Sequence, residues 1–297
     1  MQSSRIRLGS TGPEVSRITL GLWRISSWDM NVQQRVTFLE QALELGITTV
    51  DHADIYGSEL PFGTALATAP HLRSKFEIVT KCGIVPLNTP QTATCVPHYN
   101  TDRQYIIGSA EKSLQLMGVD QIDVLLIHRP DPLMDIDEVA EAFQTLRQSG
   151  KVQHFGVSNF TAGQFALLAT SCELITNQIE FSPLHLDPLH DGTLDQCQQL
   201  AVVPMIWSAL AGGRIFVDQS EPAVRVRAVL SELASQYQVA QTTLLYAWIM
   251  QHPSRPVVLT GSQRISAARE AVAASNLRLT REHWFAIWTA ANGANVA

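Results

Sequence analysis

The sequence lacks the features that mark several large classes of protein. Its four cysteines form no Cys-x-x-Cys pair and have no neighbouring histidine at metal-ligand spacing, so neither a disulfide framework nor a metal site is indicated. No cluster of lysine or arginine occurs, and the net charge of -6 opposes binding to nucleic acid. The most apolar run, 200–213, contains Pro204 and is too short to cross a bilayer. An apolar signal core is absent after Met1, so we expect a reduced, cytoplasmic protein with no membrane partner.

Two nucleotide-binding fingerprints are also missing. No Gly-x-Gly-x-x-Gly motif follows any predicted strand, although a Rossmann sheet would require one after its first strand. The Gly150-Lys151 pair lacks the Ser or Thr of a Walker A loop. An open, doubly wound sheet is therefore the less favoured architecture.

Strand and helix patterns alternate along the chain. Short apolar runs rich in β-branched residues are each followed by a segment with helical spacing, and this occurs eight times. Such alternation predicts right-handed βαβ crossovers and a parallel sheet, and eight units predict an α/β fold of the (β/α)8 TIM-barrel type. The Gly-rich turn 9–13 predicts an N-terminal β-hairpin that could close one end of the barrel. No linker divides the chain, so we expect a single domain over 1–297 with extra helices.

The predicted boundaries follow from these patterns. Strands are predicted at 18–20, 47–50, 76–80, 124–127, 152–157, 174–179, 202–206 and 257–259. Helices are predicted over 59–69, 102–117, 135–148, 193–199, 223–237, 241–250 and 280–290, with a short helix from Thr161 and one ending near Ser275. A long loop is predicted over 82–100.

Four titratable side chains follow three successive strands. Asp51 and Tyr56 follow the second strand, Lys81 the third and His128 the fourth. Each alone is more often structural, but the carboxyl ends of barrel strands meet at one rim, so together they predict one catalytic site. Tyr56 would donate a proton because the ammonium of Lys81 can stabilise its phenolate. Asp51 would keep Lys81 charged, and His128 would orient a substrate oxygen. The neighbours expected to be supporting or inert are His52, Asp54 and Cys82.

Segments in this order resemble those of the aldo-keto reductases. Asp-His-Ala-Asp-Ile-Tyr-Gly at 51–57, Val-Thr-Lys-Cys-Gly at 79–83 and Leu-Ile-His-Arg-Pro-Asp at 126–131 resemble the family's Asp, Tyr, Lys and His motifs. The resemblance covers nearly the whole chain. The segments that resemble its hairpin and cofactor site are 7–12, 156–160, 177–183 and 207–213.

The resemblance implies a barrel that reduces aldehydes or ketones to alcohols with hydride from a nicotinamide cofactor and a proton from Tyr56. NADP(H) is implied more strongly than NAD(H), and a small carbonyl compound is the implied partner. Many members carry a lysine where Gly261 stands, so Arg264, and after it Arg269, would hold a 2′-phosphate. The residues implied to bind the carboxamide are Ser158, Asn159 and Gln178, and Trp207 would stack on the nicotinamide ring. The residues implied to meet the phosphates are Ser208, Leu210, Gly212, Arg214, Gly261, Ser262 and Arg264.

The substrate itself is not indicated, because loops form its walls and loops vary freely on a barrel. Those walls are expected from Trp23, Met30, the loop 84–100 with His98 and Tyr99, and the loop after Trp207. The residues expected to contact the substrate are Trp23, Tyr99 and His128. Two other functions remain compatible with the residues. One is a lyase in which Lys81 forms a Schiff base, and the other is a non-catalytic accessory protein that senses the cofactor. The sequence does not demand an oligomer.

Overall fold

The computed structural model describes residues 2–87 and 96–297. Residues 88–95 of the predicted 82–100 loop, which include Cys95, lie outside the described residues. In chain order the strands are β1 (Arg5–Arg7), β2 (Glu14–Ser16), β3 (Ile18–Gly21), β4 (Thr49–Asp51), β5 (Glu77–Cys82), β6 (Ile84–Val85), β7 (His98–Tyr99), β8 (Ile122–Ile127), β9 (Val152–Ser158), β10 (Asn177–Glu180), β11 (Met205–Trp207) and β12 (Val257–Thr260).

Eight parallel strands of the described chain close into a barrel, in the order β3, β4, β5, β8, β9, β10, β11, β12, with β12 paired back to β3. These strands are almost continuously buried because both of their faces are covered, one by the barrel interior and one by helices. The predicted (β/α)8 barrel is confirmed. The α-helices are α1 (Val32–Glu44), α2 (Glu59–Thr68), α3 (Arg103–Met117), α4 (Ile136–Gln148), α5 (Ala162–Leu168), α6 (Thr193–Gln199), α7 (Glu221–Tyr237), α8 (Gln241–Met250), α9 (Ile265–Ala274) and α10 (Arg281–Asn292).

The N-terminal hairpin covers the amino end of the barrel. Its strands β1 and β2 are antiparallel, with Ile6 opposite Val15. Ile6, Leu8 and Val15 are buried in one apolar cluster with side chains of the barrel strands, among them Val124 and Met205. Only the carboxyl ends of the strands are therefore left to form an open mouth.

Helices α8 and α10 are held together by two tryptophans. The rings of Trp248 and Trp284 stack with centroids 5.0 Å apart and planes 15° apart. Each indole N–H also donates to the backbone carbonyl of the other residue, at 3.0 Å in both directions. This reciprocal contact fixes the last helix against the nearly all-buried α8. Among the described residues, no helix is long and apolar enough to span a membrane.

Several details differ from the prediction. The described part of the 82–100 loop contains a short antiparallel pair, β6 and β7, with Ile84 opposite Tyr99. The sixth barrel strand starts at Asn177 rather than at 174. Leu174 and Ile175 are buried, but they precede the first residue of this strand that pairs with a neighbouring strand. Short 3₁₀ helices, which carry weak sequence signals, were not predicted. They lie at Ile25–Ser27, Pro70–Lys75, Asp187–Leu189 and Ala211–Phe216.

Candidate active site

The four titratable residues meet at the carboxyl ends of three neighbouring strands. Asp51 ends β4, Lys81 lies near the end of β5, and His128 directly follows β8. The pairing of β4 with β5 and of β5 with β8 brings these ends together. Tyr56 stands in the turn after β4, where its backbone N–H donates to the carbonyl of Ala53 at 3.1 Å.

Lys81 and Asp51 form a buried ion pair. Lys81 Nζ lies 2.6 Å from Asp51 Oδ1 and also donates to the carbonyl of His52 at 2.7 Å. The Lys81 side chain is only 1% exposed. A buried ammonium is tolerated when a carboxylate and further acceptors compensate for the lost water. The second oxygen of Asp51 accepts from Gln178 Nε2 at 2.7 Å, so both carboxylate oxygens are bonded.

Tyr56 contacts both His128 and Lys81. Its hydroxyl lies 3.1 Å from His128 Nε2, and Lys81 Nζ lies 5.1 Å from the centroid of its ring. Burial raises the pKa of Tyr56 above its ordinary value, while the charges of Lys81 and Arg129 lower it and that of Asp51 raises it. Lys81 thus acts in the expected direction, but burial outweighs it. In this state the phenol keeps its proton.

His128 presents a neutral imidazole to the mouth. Burial lowers the pKa of His128 to about 3, and the cations Lys81 and Arg129 contribute in the same direction. A neutral imidazole has one N–H and one acceptor nitrogen. Its Nδ1 is buried without a hydrogen bond to any described residue, whereas Nε2 faces the hydroxyl of Tyr56. His128 can therefore share a hydrogen bond with Tyr56 or with an oxygen placed beside it.

The residues expected at a carboxamide are bonded to one another. Ser158 Oγ donates to the backbone carbonyl of Gln178 at 2.9 Å, and Asn159 Nδ2 donates to Ser158 Oγ at 2.7 Å. Trp207 Nε1 donates to Asn159 Oδ1 at 3.0 Å. Asn159 adopts the left-handed conformation, with φ of 60°, which asparagine tolerates better than most residues. Because Gln178 also bonds Asp51, one network joins this group to the ion pair.

The residues expected at the phosphates lie on two segments beyond the mouth. The loop after Trp207 contains Gly212 and Gly213 with φ of 67° and 91°, conformations that glycine adopts at little cost. In the second segment, Ser262 Oγ accepts from the backbone N–H of Arg264, and this arginine is the N-cap of α9. The other members of this group are Ser208, Leu210, Arg214 and Gly261, of which Gly261 is exposed.

The predicted substrate walls are only partly brought together. Trp23 is 50% exposed and meets Tyr56 edge to face, with centroids 6.2 Å apart. Tyr99 lies on β7 opposite Ile84, and within the described chain no ring contact joins it to Tyr56 or His128. Among the same residues, no group of three or more metal-ligating side chains could hold a metal ion.

A second polar layer lies behind the ion pair, and sequence reasoning missed its central acid. Glu59 is 2% exposed and accepts from Thr80 Oγ1 at 2.7 Å. Burial, followed by the charge of Glu59, raises the pKa of Asp54 to about 7. His52 is fully buried, with Nδ1 2.9 Å from Ser58 Oγ. The signal for Glu59 was weak, because a glutamate in the first turn of a helix is usually a solvated charge.

Arg129 also escaped the sequence analysis. It directly follows His128, and its guanidinium carbon lies 5.5 Å from the ring centroid of Trp207, on the far side of the mouth. Its position immediately after a strand-end histidine was the available signal. Cys82 is buried, and burial raises the pKa of its thiol well above the usual value. Both features are typical of an unreactive cysteine.

Comparison with known proteins gives a family. A model of the Aldo/keto reductase family matches residues 17–292. A protein of Escherichia coli named oxidoreductase YdhF is 52% identical over 98% of this chain and 99% of its own length. A 6-dehydroglucose reductase of Agrobacterium fabrum is 42% identical over 96% of this chain and 97% of its own. An aldo-keto reductase of Bombyx mori, solved in complex with NADP, matches with a TM-score of 0.78 at 23% identity, covering 98% of this chain and 93% of that one.

Proposed function

The chain belongs to the aldo/keto reductase family, and on that premise we propose that it is an NADP(H)-dependent reductase of aldehydes or ketones. The observation that carries the proposal is the contact of Tyr56 Oη with His128 Nε2 at 3.1 Å, above a lysine paired with Asp51. A phenol that keeps its proton, beside a neutral hydrogen-bonding group and a buried cation, is suited to protonating a carbonyl oxygen.

Each of the four residues has a distinct part in this proposal. His128 and Tyr56 position the carbonyl oxygen, and Tyr56 gives up its proton as negative charge develops on that oxygen. Lys81 then stabilises the phenolate by direct Coulomb attraction. Asp51 keeps Lys81 charged and fixes its position, since the ammonium has little freedom between the carboxylate and the carbonyl of His52.

The residues around the mouth fit a nicotinamide cofactor, which when bound would supply the hydride. Amide, hydroxyl and indole groups of Gln178, Asn159, Ser158 and Trp207 lie together beside the tetrad, and amides can match both the donor and the acceptor of a carboxamide. Arg264 at the start of α9 provides a cation where a helix N-terminus favours anions. The Bombyx mori structure bound to NADP supports the choice of cofactor.

The proposal is tested by following the oxidation of NADPH in the presence of a panel of aldehydes. The panel should include sugar aldehydes, because a relative of 42% identity is a 6-dehydroglucose reductase. Tyr56→Phe should lower kcat by about 10²- to 10⁴-fold, while quenching of tryptophan fluorescence by NADPH remains. Tyr237→Phe is the matched control, because its hydroxyl also contacts a histidine ring nitrogen, that of His283, at 2.7 Å but between α7 and α10. Equal turnover by wild type and Tyr56→Phe would reject the proposal.

The two alternative functions give different results in the same assays. A Schiff base on Lys81 would be trapped by borohydride with an aldehyde in the absence of cofactor, but formation of a Schiff base requires the free amine. In the structure the Lys81 amine is instead bonded to Asp51 and to the carbonyl of His52. A cofactor sensor would bind NADPH with no turnover of any aldehyde.

A further inference from the structure

Arg129 places a positive charge at the mouth of the barrel, close to the reacting groups. It follows His128 in sequence, and its guanidinium carbon lies 5.5 Å from the centroid of Trp207 on the other side of the mouth. Its charge lowers the pKa of both Tyr56 and His128, so it is near enough to act on each. The side chain is only partly exposed.

This charge has no compensating carboxylate in the described part of the chain. Ion pairs within 4.0 Å join other arginines to acids, but none includes Arg129. Asp131 is close in sequence, yet its two oxygens accept from Thr101 Oγ1 and from the backbone N–H of Leu133. The other cation of the site, Lys81, is balanced by Asp51. Arg129 therefore contributes to the mouth a positive charge that no carboxylate of the described residues pairs with.

We infer that Arg129 selects carbonyl substrates that carry a second, anionic group, such as a carboxylate. The inference rests on the proposed function, because it concerns the substrate of the same mouth. A guanidinium presents a fixed fork of N–H donors that matches the two oxygens of a carboxylate. Partial burial beside an indole reduces solvent screening, which strengthens such a pair relative to one in open water.

Two simpler roles for Arg129 predict different behaviour. If it only packs on Trp207, its removal would change all substrates alike, through loss of a cation–π contact. If it binds the cofactor, its removal would weaken NADPH binding and again affect all substrates alike. Only a substrate-anion contact makes the effect depend on whether the substrate is charged.

The experiment compares carboxybenzaldehydes with the carbamoylbenzaldehydes of the same ring position, which have nearly the same shape but no charge. Wild-type kcat/KM should favour the carboxylate of at least one isomer by about 10-fold or more, as expected for a hydrogen bond to a charged group. Arg129→Gln should remove that preference, whereas any effect transmitted through Tyr56, His128 or Trp207 acts on both compounds alike and cancels in the ratio of their kcat/KM values. Arg129→Lys, which keeps the charge without the fork, should restore part of it.

Arg24→Gln is the control for the loss of one positive charge. Arg24 also stacks on an indole, with its guanidinium carbon 4.5 Å from the centroid of Trp23, but it is exposed, whereas the charges that shift the pKa of Tyr56 and His128 include that of Arg129. This variant should keep the wild-type preference. Loss of preference in Arg24→Gln would show general charge steering and overturn the inference.

Other results also decide the question. A preference that persists in Arg129→Gln, or a wild-type enzyme that does not distinguish the pairs, overturns the inference without touching the proposed function. If no aldehyde is reduced, the proposed function fails, and calorimetry of the same compounds then decides the inference. Tighter binding of the carboxylate by wild type but not by Arg129→Gln would support it, and equal binding would overturn it.

Discussion

Gln178 donates its amide N–H to Asp51 across the barrel, at 2.7 Å between Nε2 and Oδ2. The two residues lie on β10 and β4, strands separated around the barrel by β11, β12 and β3. The other oxygen of Asp51 accepts from Lys81. One carboxylate thus binds both Lys81, below the phenol of Tyr56, and the Gln178 amide that is expected to bind the cofactor's carboxamide. We therefore expect a substitution at Lys81 or Gln178 to change the position of the other residue.

Lys81→Met should destabilise the protein far more than Lys151→Met. Both ammonium groups lie 2.6 Å from a carboxylate, but the Lys81–Asp51 pair is buried whereas the Lys151–Glu111 pair is largely exposed. Removing Lys81 leaves Asp51 buried without its cation and should cost about 3–5 kcal/mol of unfolding free energy. Removing Lys151 should cost about 0–1 kcal/mol. Urea unfolding measures the free energy of both variants, and equal losses would contradict the presence of a buried ion pair between Lys81 and Asp51.

His52 should make the protein less stable in mild acid. Burial, with a smaller effect of Lys81, lowers the pKa of His52 to about 3. The unfolded chain binds a proton on this residue near its ordinary pKa of about 6.5, so unfolding takes up a proton below that pH. The unfolding free energy should therefore fall as the pH drops from about 6.5 toward 3, by up to about 1.4 kcal/mol per pH unit.

His52→Asn should reduce this slope, because the proton-binding group is removed from both states. Part of the slope should remain, since the pKa of His128 is also lowered to about 3. His71→Asn is the control, because the His71 side chain is 63% exposed. Urea unfolding at several pH values measures the slopes, and an unchanged slope in His52→Asn would contradict the assignment.

Arg264→Gln should change the choice of cofactor. Arg264 is exposed at the N-cap of α9, where it can reach a 2′-phosphate that only NADPH carries. Loss of a charge-assisted hydrogen bond should raise the KM for NADPH by about 10- to 100-fold and leave that for NADH nearly unchanged. Arg269→Gln, on the same helix, is the charge-matched comparison. A selective effect of Arg269→Gln alone would assign the phosphate to that residue instead.

Gly63→Ala and Gly108→Ala should have opposite effects on stability. Both glycines lie in helix interiors, in α2 and α3. A Cβ at Gly63 would collide with the backbone of Leu116 and Met117, whereas one at Gly108 would meet nothing within 4 Å. Gly63→Ala should therefore force α2 and α3 apart and cost about 1–3 kcal/mol. Gly108→Ala should stabilise by about 0.4–1 kcal/mol, because alanine loses less conformational entropy on folding. Thermal unfolding distinguishes the two.

The barrel and the gathering of the tetrad could be predicted because their signals are local. Apolar runs that end in Asp51, Lys81 and His128 are legible in short windows, and barrel geometry alone brings such ends together. The short β6 and β7 were missed because two-residue strands leave almost no pattern. The loop that contains them was also predicted only as irregular chain.

The environment of each group was harder to predict because it depends on distant parts of the chain. The sequence suggested that Lys81 would dominate the acidity of Tyr56, whereas burial by the folded mouth is the larger influence on its pKa. The bond of Gln178 to Asp51 joins residues 127 positions apart and could not be inferred from either motif. Arg129 lies within the Leu-Ile-His-Arg-Pro-Asp segment at 126–131, but only its distance to Trp207 across the barrel shows that its side chain extends over the mouth.

The stacked contact between Trp248 and Trp284 gives the last helix, α10, a spectroscopic signal of its own. Two indoles stacked 5.0 Å apart, with their planes 15° apart, should contribute to the near-ultraviolet circular dichroism, and that contribution should be lost when the rings separate. The contribution depends on the packing of α10 and not on events at the mouth. Detachment of the last helix during heating could thus be followed separately from melting of the barrel.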